Sequence, residues 1–265
     1  MGVEQIGIIS IAGMVFTLLI SFGVPLLLLL VIKKKTKADI TSFFIGAVTF
    51  IVFALILEQI LHTIVKFTTG EIISGNIWLY GLYGGLAAGL FEETGRLVAM
   101  RFFMKKNLNL PNALMYGAGH GGAEAILLVG MTSVNNIIVS FMINTGIFQK
   151  SLEALDEAVR ADAVNQLSAL WTLPGYQFFM GGVERLVAIV LHIALSVIVY
   201  QSIKNNKKVY WIMAVVMHAV VDFAAVISVS YLNIVTTEVV VALISAVSVA
   251  AAVIICRRNR EINQA

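Results

Sequence analysis

The stretch IGIISIAGMVFTLLISFGVPLLLLLVI, residues 6–32, decides the fold of this chain. It holds no charged side chain, and the lysine run KKK follows it directly at 33–35. A helix needs about 20 mostly apolar residues to cross the hydrocarbon core of a bilayer, and this run is longer. It is too long for a cleaved signal peptide, and its positive cluster follows the apolar run, so we interpret it as a retained membrane-spanning helix.

The whole chain has the same apolar character. Of its 265 residues, 59% are hydrophobic and 12% are charged, and its mean hydropathy is +0.93. Soluble proteins carry about 25% charged residues, so we expect the solvent of this chain to be the lipid of a membrane bilayer. The net charge of +3 comes from short basic clusters at the ends of apolar runs, which is typical of topology signals and not of a nucleic-acid surface. The single cysteine, Cys256, excludes an internal disulfide.

Seven stretches meet the length criterion, so the predicted fold class is all-α, a polytopic transmembrane helical bundle of about seven spans. Helices are expected because lipid offers no partners to backbone groups, and the sequence has no alternating strand pattern. The apolar character of the fourth stretch extends to about residue 147, so its helix is able to continue that far. We expect a single membrane-embedded domain, residues 1–265. The predicted spans are residues 6–32, 41–66, 77–103, 111–135, 175–203, 209–231 and 236–256.

Charged residues between the spans predict the orientation of the bundle. With seven spans, every basic cluster falls on one side of the membrane, while the opposite loops carry mostly acids, among them Glu71, Asp162 and Glu238. Basic loops remain in the cytoplasm, so we expect the N-terminus outside and the C-terminus inside. The basic clusters are Lys33, Lys34, Lys35 and Lys37; Arg101, Lys105 and Lys106; Lys204, Lys207 and Lys208; and Arg257, Arg258 and Arg260.

The one sizeable polar stretch, residues 148–172, predicts an outer amphipathic helix. Such a helix lies on the membrane surface with its apolar face toward the lipid. This helix could serve as a plain connector between two spans or as a lid over a substrate entrance, and the sequence leaves both roles open. The apolar residues that recur there at helical spacing are Leu152, Leu155, Val159, Ala163 and Leu167.

Ionisable side chains inside the predicted spans are the most informative feature of the sequence. One charge in the middle of a bilayer costs about 3 kcal/mol on insertion scales, so such residues neutralise one another or bind something. Glu58 and His62, near the outer end of the second span, favour a structural pair, and Glu184 beside Arg185 is typical of a salt bridge that fixes helix register. The full set is Glu58, His62, Glu92, Glu93, Arg96, His120, Glu124, Glu184, Arg185, His192, His218 and Asp222.

Four of these residues share one depth in the membrane. Counted from the nearest cytosolic marker at about 1.5 Å per residue, each lies roughly 14–18 Å from the cytosolic edge. They belong to four different spans, so we expect their side chains to meet in one cavity. Three imidazoles beside a carboxylate are the ligands of a catalytic zinc site. The four are Glu92, His120, His192 and His218.

A second polar residue accompanies each of the four on the same helix face. Spacings of four and seven residues place two side chains on one face. A carboxylate in such a position accepts the free ring N–H of a metal-bound histidine and fixes the ring. The pairs are Glu92 with Arg96, His120 with Glu124, His218 with Asp222, and Arg185 with His192.

Three motifs carry a resemblance to a known family. They are FEETGR at 91–96, GAGHGGAE at 117–124 and HAVVD at 218–222. In these motifs the chain resembles the YhfC family of intramembrane metalloproteases, which is grouped with the type II CAAX prenyl endopeptidases, the bacterial CPBP proteins and the PrsW proteases. Those relatives share a Glu-Glu pair followed by a basic residue, a histidine on the next helix and a late His-x-x-x-Asn or His-x-x-x-Asp. The resemblance covers about residues 85–225, within a catalytic-type core of about 77–231.

The resemblance implies a role for each matched residue. The spacing of the basic residue and the use of aspartate in the late motif look more like PrsW, so prenylated substrates are not implied. The resemblance makes Glu92 and Glu93 the catalytic pair and Arg96 its basic partner. It makes His120 the second-motif histidine and His218 with Asp222 the late motif. His192 matches an extra histidine of some branches, and the Aph-1 scaffold subunit of gamma-secretase keeps the same pair of late histidines, His192 and His218.

The resulting hypothesis is a zinc-dependent intramembrane endopeptidase that acts on membrane-associated proteins or peptides. His120, His192 and His218 would hold one divalent metal, most simply zinc. Glu92 would be the general base or a ligand, with Glu93 as its helper. Arg96 pairs with Glu93 or stabilises the oxyanion. The expected outer residues are Glu124, Asp222 and Arg185.

Two other functions are open at this stage. A proton- or cation-coupled transporter also uses buried Glu, His and Asp side chains, although the sequence has no inverted repeat. A non-catalytic scaffold like Aph-1 would use the same residues only to lock the bundle.

Overall fold

The computed structural model describes residues 3–262 and contains seven long helices. Within that range the chain forms helices, turns and loops without a strand, so the all-α prediction is confirmed. We refer to the long helices as the first to the seventh. They are Ile8–Thr36, Ile40–Thr68, 77–103, Leu110–Asn144, Gln177–Lys204, Lys208–Tyr231 and Ile234–Ile262. The predicted cluster residue Arg260 has a side chain outside the described part of the chain.

Six of the long helices are both long and apolar enough to cross a membrane, against the seven spans that were expected. The difference is the third helix, which joins the α-helix Ile77–Val98 to the π-helical turn Ala99–Phe103. It has the length of a span, but Glu92, Glu93 and Arg96 lower its apolarity. The third helix packs against the sixth and contacts the second and fifth, so its polar face is covered by protein. The polar residues of the centre therefore account for the lower count.

The fourth helix runs without a break from Leu110 to Asn144. Its end agrees with the longer prediction, about residue 147, and not with the shorter one, residue 135. Its hydrogen bonding changes to the π pattern at Ala125–Gly130, directly after Glu124. The second helix has a similar π-helical stretch, Ile51–Glu58, which ends on an intramembrane glutamate. Such segments are frequent at functional sites because they re-aim side chains.

The fifth helix is the centre of the bundle and contacts the first, third, fourth, sixth and seventh helices. Its residues from Leu191 to Ser202 are buried almost continuously. Glycines bring the fourth helix close to the fifth and the second helices. A Cβ on Gly117 would lie 2.6 Å from the Cα of Ile193 on the fifth helix, and a Cβ on Gly119 would collide with the carbonyl oxygen of Phe43 on the second helix. Close approach of this kind places His120 between the second and fifth helices.

The polar stretch 148–172 is not the single amphipathic helix that was expected. It consists of three short helices, Ile147–Glu153, Glu157–Leu167 and Ala169–Thr172. The chain leaves the helical conformation at Asp156, and the guanidinium of Arg160 donates to the carbonyls of Leu152 and Leu155 at the break. The break explains why the predicted apolar stripe is only partly buried. Leu152 packs with Ile6 and Ile143, whereas Leu155 and Val159 are exposed.

Candidate metal centre

Side chains from the third, fourth, fifth and sixth helices meet in the interior, as the shared depth predicted. The ring centroids of His120 and His192 lie 5.0 Å apart, and those of His192 and His218 lie 5.3 Å apart. Glu92 joins them, with its Oε2 atom 2.8 Å from Nε2 of His120 and 3.9 Å from Nδ1 of His192. All four residues are buried.

Three of these residues offer donor atoms close enough to share one ion. One donor atom each from Glu92, His192 and His218 lie within 4.8 Å of one another. Two imidazoles and one carboxylate form a known ligand set of catalytic zinc, which binds such donors at about 2.0–2.2 Å and leaves a fourth position for water. The residues present therefore fit a divalent metal once the donor atoms draw together and Nδ1 of His192 exchanges its hydrogen bond from Arg96 for the ion.

His120 has a different position from the one expected of a metal ligand. Its Nε2 atom is hydrogen-bonded to the Glu92 carboxylate, and its Nδ1 atom has no hydrogen-bond partner among residues 3–262. The ring lies between Phe50 and Tyr116, with centroid distances of 5.4 and 6.0 Å. His120 therefore orients the carboxylate of Glu92 and is not part of the three-donor group.

Glu93 orients His218. Its Oε1 atom lies 2.9 Å from Nδ1 of His218 and also 2.9 Å from Nη1 of Arg96. Because Nδ1 is engaged, Nε2 is the free ring nitrogen of His218. Asp222, the expected outer partner, lies 3.5 Å from Nε2, beyond the ordinary range of a hydrogen bond. The expected pairing of Glu93 with Arg96 is present, and the support of His218 comes from Glu93.

Glu124 supports His192 and not His120, the residue with which the helix-face spacing had paired it, and Arg185 reaches His192 only through Glu124. The Nε2 atom of His192 lies 2.5 Å from Oε2 of Glu124, and Nη1 of Arg185 donates to Oε1 of Glu124 at 2.7 Å. Arg185 also forms a close ion pair with Glu184, its neighbour in sequence. Arg185 therefore acts on His192 through Glu124.

Arg96 lies behind the histidines instead of facing the cavity. Its side chain is fully buried, and its Nη2 atom donates to Nδ1 of His192 at 3.0 Å. It is not among the residues that line the neighbouring cavity. This position supports a role in holding Glu93 and His192 and gives no support to the expected oxyanion role.

A small cavity of about 150 Å³ opens beside the three-donor group. Glu92, His192 and His218 lie on its wall, as do Glu124 and Asp222. The seventh helix forms part of the wall as well, a contribution that the sequence reasoning missed because it placed Glu238 in an outer loop. The sequence signal that could have revealed this wall is the spacing of Ser245, which follows Glu238 by seven residues and Thr237 by eight. Such spacings put the three polar side chains on one helix face. Those side chains are Thr237, Glu238 and Ser245.

The pair Glu58 and His62 lies beside this centre, with Glu58 close enough to Glu92 and His218 to interact with their charges, but neither residue belongs to the three-donor group. The Nε2 atom of His62 is 3.1 Å from Oε1 of Glu58, and its Nδ1 atom is 2.7 Å from the hydroxyl of Tyr83 on the third helix. These contacts join the second helix to the third, in agreement with the expected structural pair.

The fold and this centre define a class: an integral, multi-pass membrane protein with a buried carboxylate–histidine site. The profile of the family described as "YhfC intramembrane metalloprotease" matches residues 18–245. The "Uncharacterized membrane protein YhfC" of Bacillus subtilis (strain 168) is 39% identical over 235 residues, which cover 87% of this chain and 90% of that protein. The chain belongs to the YhfC family. No solved structure shows a significant match to it. The wider relationship to CAAX and PrsW proteases stays a prediction.

Proposed function

We propose that this protein is a metal-dependent intramembrane endopeptidase that hydrolyses peptide bonds of membrane-associated proteins or peptides. The observation that carries the proposal is the donor group Glu92, His192 and His218 on the wall of a buried cavity. The family description points to the same class of enzyme. Burial in a helical bundle would place the reaction within the membrane.

Glu92, His192 and His218 would hold the metal, and zinc is the ion that best suits two imidazoles and one carboxylate. When bound, such an ion lowers the pKa of a coordinated water and polarises the peptide carbonyl. The surrounding residues prepare the donors: His120 holds the Glu92 carboxylate, and Glu93 fixes the ring of His218. Because Glu92 serves as a ligand in this proposal, the general base must be another residue.

Asp222 is the carboxylate best placed to be that base. It lines the cavity beside His218, and its side chain is 36% exposed. Glu124 also lines the cavity, but Arg185 and His192 both hold it, which weakens it as a proton acceptor. In this role Asp222 takes a proton from the attacking water and passes it to the leaving amine.

The size of the cavity restricts the form in which a substrate can enter. A volume of about 150 Å³ has room for about five water molecules at roughly 30 Å³ each. An α-helix with its side chains is about 10–12 Å wide and does not fit. The substrate segment would therefore be unwound at the scissile bond.

The test is cleavage of a quenched fluorescent membrane peptide by the purified protein in proteoliposomes. We expect cleavage that stops with a chelator and returns when zinc is added, and that is lost in His218→Ala. His62→Ala is the matched control, because it removes an intramembrane histidine that is not in the three-donor group, and it should retain cleavage. Ion flux without cleavage would instead favour a transporter.

A further inference from the structure

One face of the seventh helix lines the same cavity as the three metal donors. Thr237, Glu238, Val241 and Ser245 all lie on the cavity wall. Their spacing of three, four, seven and eight residues is that of a single helix face. The three polar residues are almost completely buried, with 4%, 8% and 3% of their surface exposed for Thr237, Glu238 and Ser245.

Each of these polar side chains has a free atom. Oγ1 of Thr237, Oε2 of Glu238 and Oγ of Ser245 have no hydrogen-bond partner among the described residues. A buried polar group without a partner is costly, especially in a membrane interior where water is scarce. Thr237 and Glu238 are neighbours on one cavity wall and indicate a ligand that satisfies them together, whereas Ser245 lies about 10–12 Å further along the helix, beyond the reach of the same small group.

The charge of the cavity indicates the sign of that ligand. Arg185 is the one guanidinium on the cavity wall, and it is shared between Glu124 and Glu184. Glu92 is held by His120 and by the proposed metal. Glu238 has no ion pair within residues 3–259, whose side chains are described. The end of the cavity near Glu238 is therefore negative. The carboxylates on the wall are Glu92, Glu124, Glu184, Asp222 and Glu238.

We propose that Thr237 and Glu238 form a subsite for the ammonium group of a substrate lysine, close to the scissile bond; this inference rests on the proposed peptidase function. An ammonium group has three N–H donors, and the carboxylate of Glu238 with the hydroxyl of Thr237 offers acceptors for them. The aliphatic stem of lysine would pack on Val241, between the polar residues. A compact ammonium also suits a cavity of about 150 Å³ better than a planar guanidinium does.

The experiment compares quenched fluorescent membrane peptides that differ at one position, which carries lysine, norleucine or glutamate. The variable position is moved along both sides of the scissile bond. For the wild-type protein with zinc, we expect lysine to raise kcat/KM about tenfold over norleucine at one position, a charge-assisted effect. Glu238→Gln should bring that ratio to about one, and Glu238→Lys should favour the glutamate peptide. Glu71→Gln, which changes an exposed acid outside the cavity, is the matched control and should keep the wild-type ratio.

The outcomes separate the two proposals. A wild-type ratio near one at every position, or a full lysine preference in Glu238→Gln, would overturn the subsite while the peptidase stands. If the wild-type protein cleaves none of the peptides, both proposals fall. Should Glu238→Gln not fold, the variant Thr237→Val removes the hydroxyl acceptor and should lower the lysine ratio; an unchanged ratio overturns the subsite.

Discussion

At the scale of single residues, the centre is held together by one carboxylate that serves two partners. Glu93 accepts hydrogen bonds from Arg96 and from His218, and both Glu93 and Arg96 are completely buried. A buried guanidinium is tolerated only when its charge is compensated. Glu93 therefore stabilises the bundle and orients a metal donor at the same time, and it is not available as a general base.

Replacing Glu93 tests this double role. Glu93→Gln keeps the size of the side chain but leaves the charge of Arg96 without compensation, so we expect a loss of about 3–5 kcal/mol in the free energy of unfolding. Unfolding in mild detergent, followed by circular dichroism, measures the change. Glu71→Gln on the exposed surface should be neutral. Equal stability of the Glu93→Gln and wild-type proteins would show that Arg96 does not depend on Glu93.

The proposed base makes a second prediction at this scale. Asp222→Asn keeps the shape of the side chain but cannot accept a proton, so kcat should fall about 10²–10⁴-fold. The metal content should remain that of the wild type, because Asp222 is outside the three-donor group. Steady-state peptide cleavage and elemental analysis of one preparation measure both quantities. Asp162→Asn, in the exposed outer segment, is the control. An unchanged kcat would assign the base to another residue, with Glu124 the next to examine.

At the scale of helices, glycine contacts decide where His120 lies. Gly119 faces the carbonyl of Phe43 across the interface of the second and fourth helices, whereas Gly84 on the third helix has open space around it. Gly119→Ala should therefore force the two helices apart, at a cost of about 1–3 kcal/mol. Gly84→Ala should be neutral or stabilise by about 0.5–1 kcal/mol, because alanine favours the helix. Thermal unfolding in detergent compares the two, and equal effects would contradict the packing.

The helices also show how far the sequence could lead. Hydrophobic length predicts where the long helices lie because lipid imposes that length directly. It could not predict the π-helical turn after Glu124 or the break at Asp156, since both depend on local hydrogen bonds. Depth along the helices predicted that His120 and His192 meet. The depth of a residue along a helix says nothing about the direction in which its side chain points around the helix axis. It could therefore not show that His120 faces the Glu92 carboxylate instead of the shared ion site.

At the scale of the whole molecule, the bundle places most of its intramembrane charge in one connected network. Glu93 compensates Arg96, and Glu124 with Glu184 compensates Arg185. Glu238 extends this polar interior to the seventh helix, although the charge-based orientation argument had counted it among the acids of the outer loops. The orientation of the bundle, with the N-terminus outside, stays a prediction.

A metal bound by Glu92, His192 and His218 is the feature on which the proposed peptidase activity depends most directly. Elemental analysis of the protein, purified without chelators and supplied with zinc, should find about one zinc per chain. The same value is expected for His62→Ala, and His218→Ala should lose the metal because it removes one of three donors. A wild-type protein that retains no divalent metal, or a His218→Ala protein that binds as much as the wild type, would contradict a metal site at Glu92, His192 and His218.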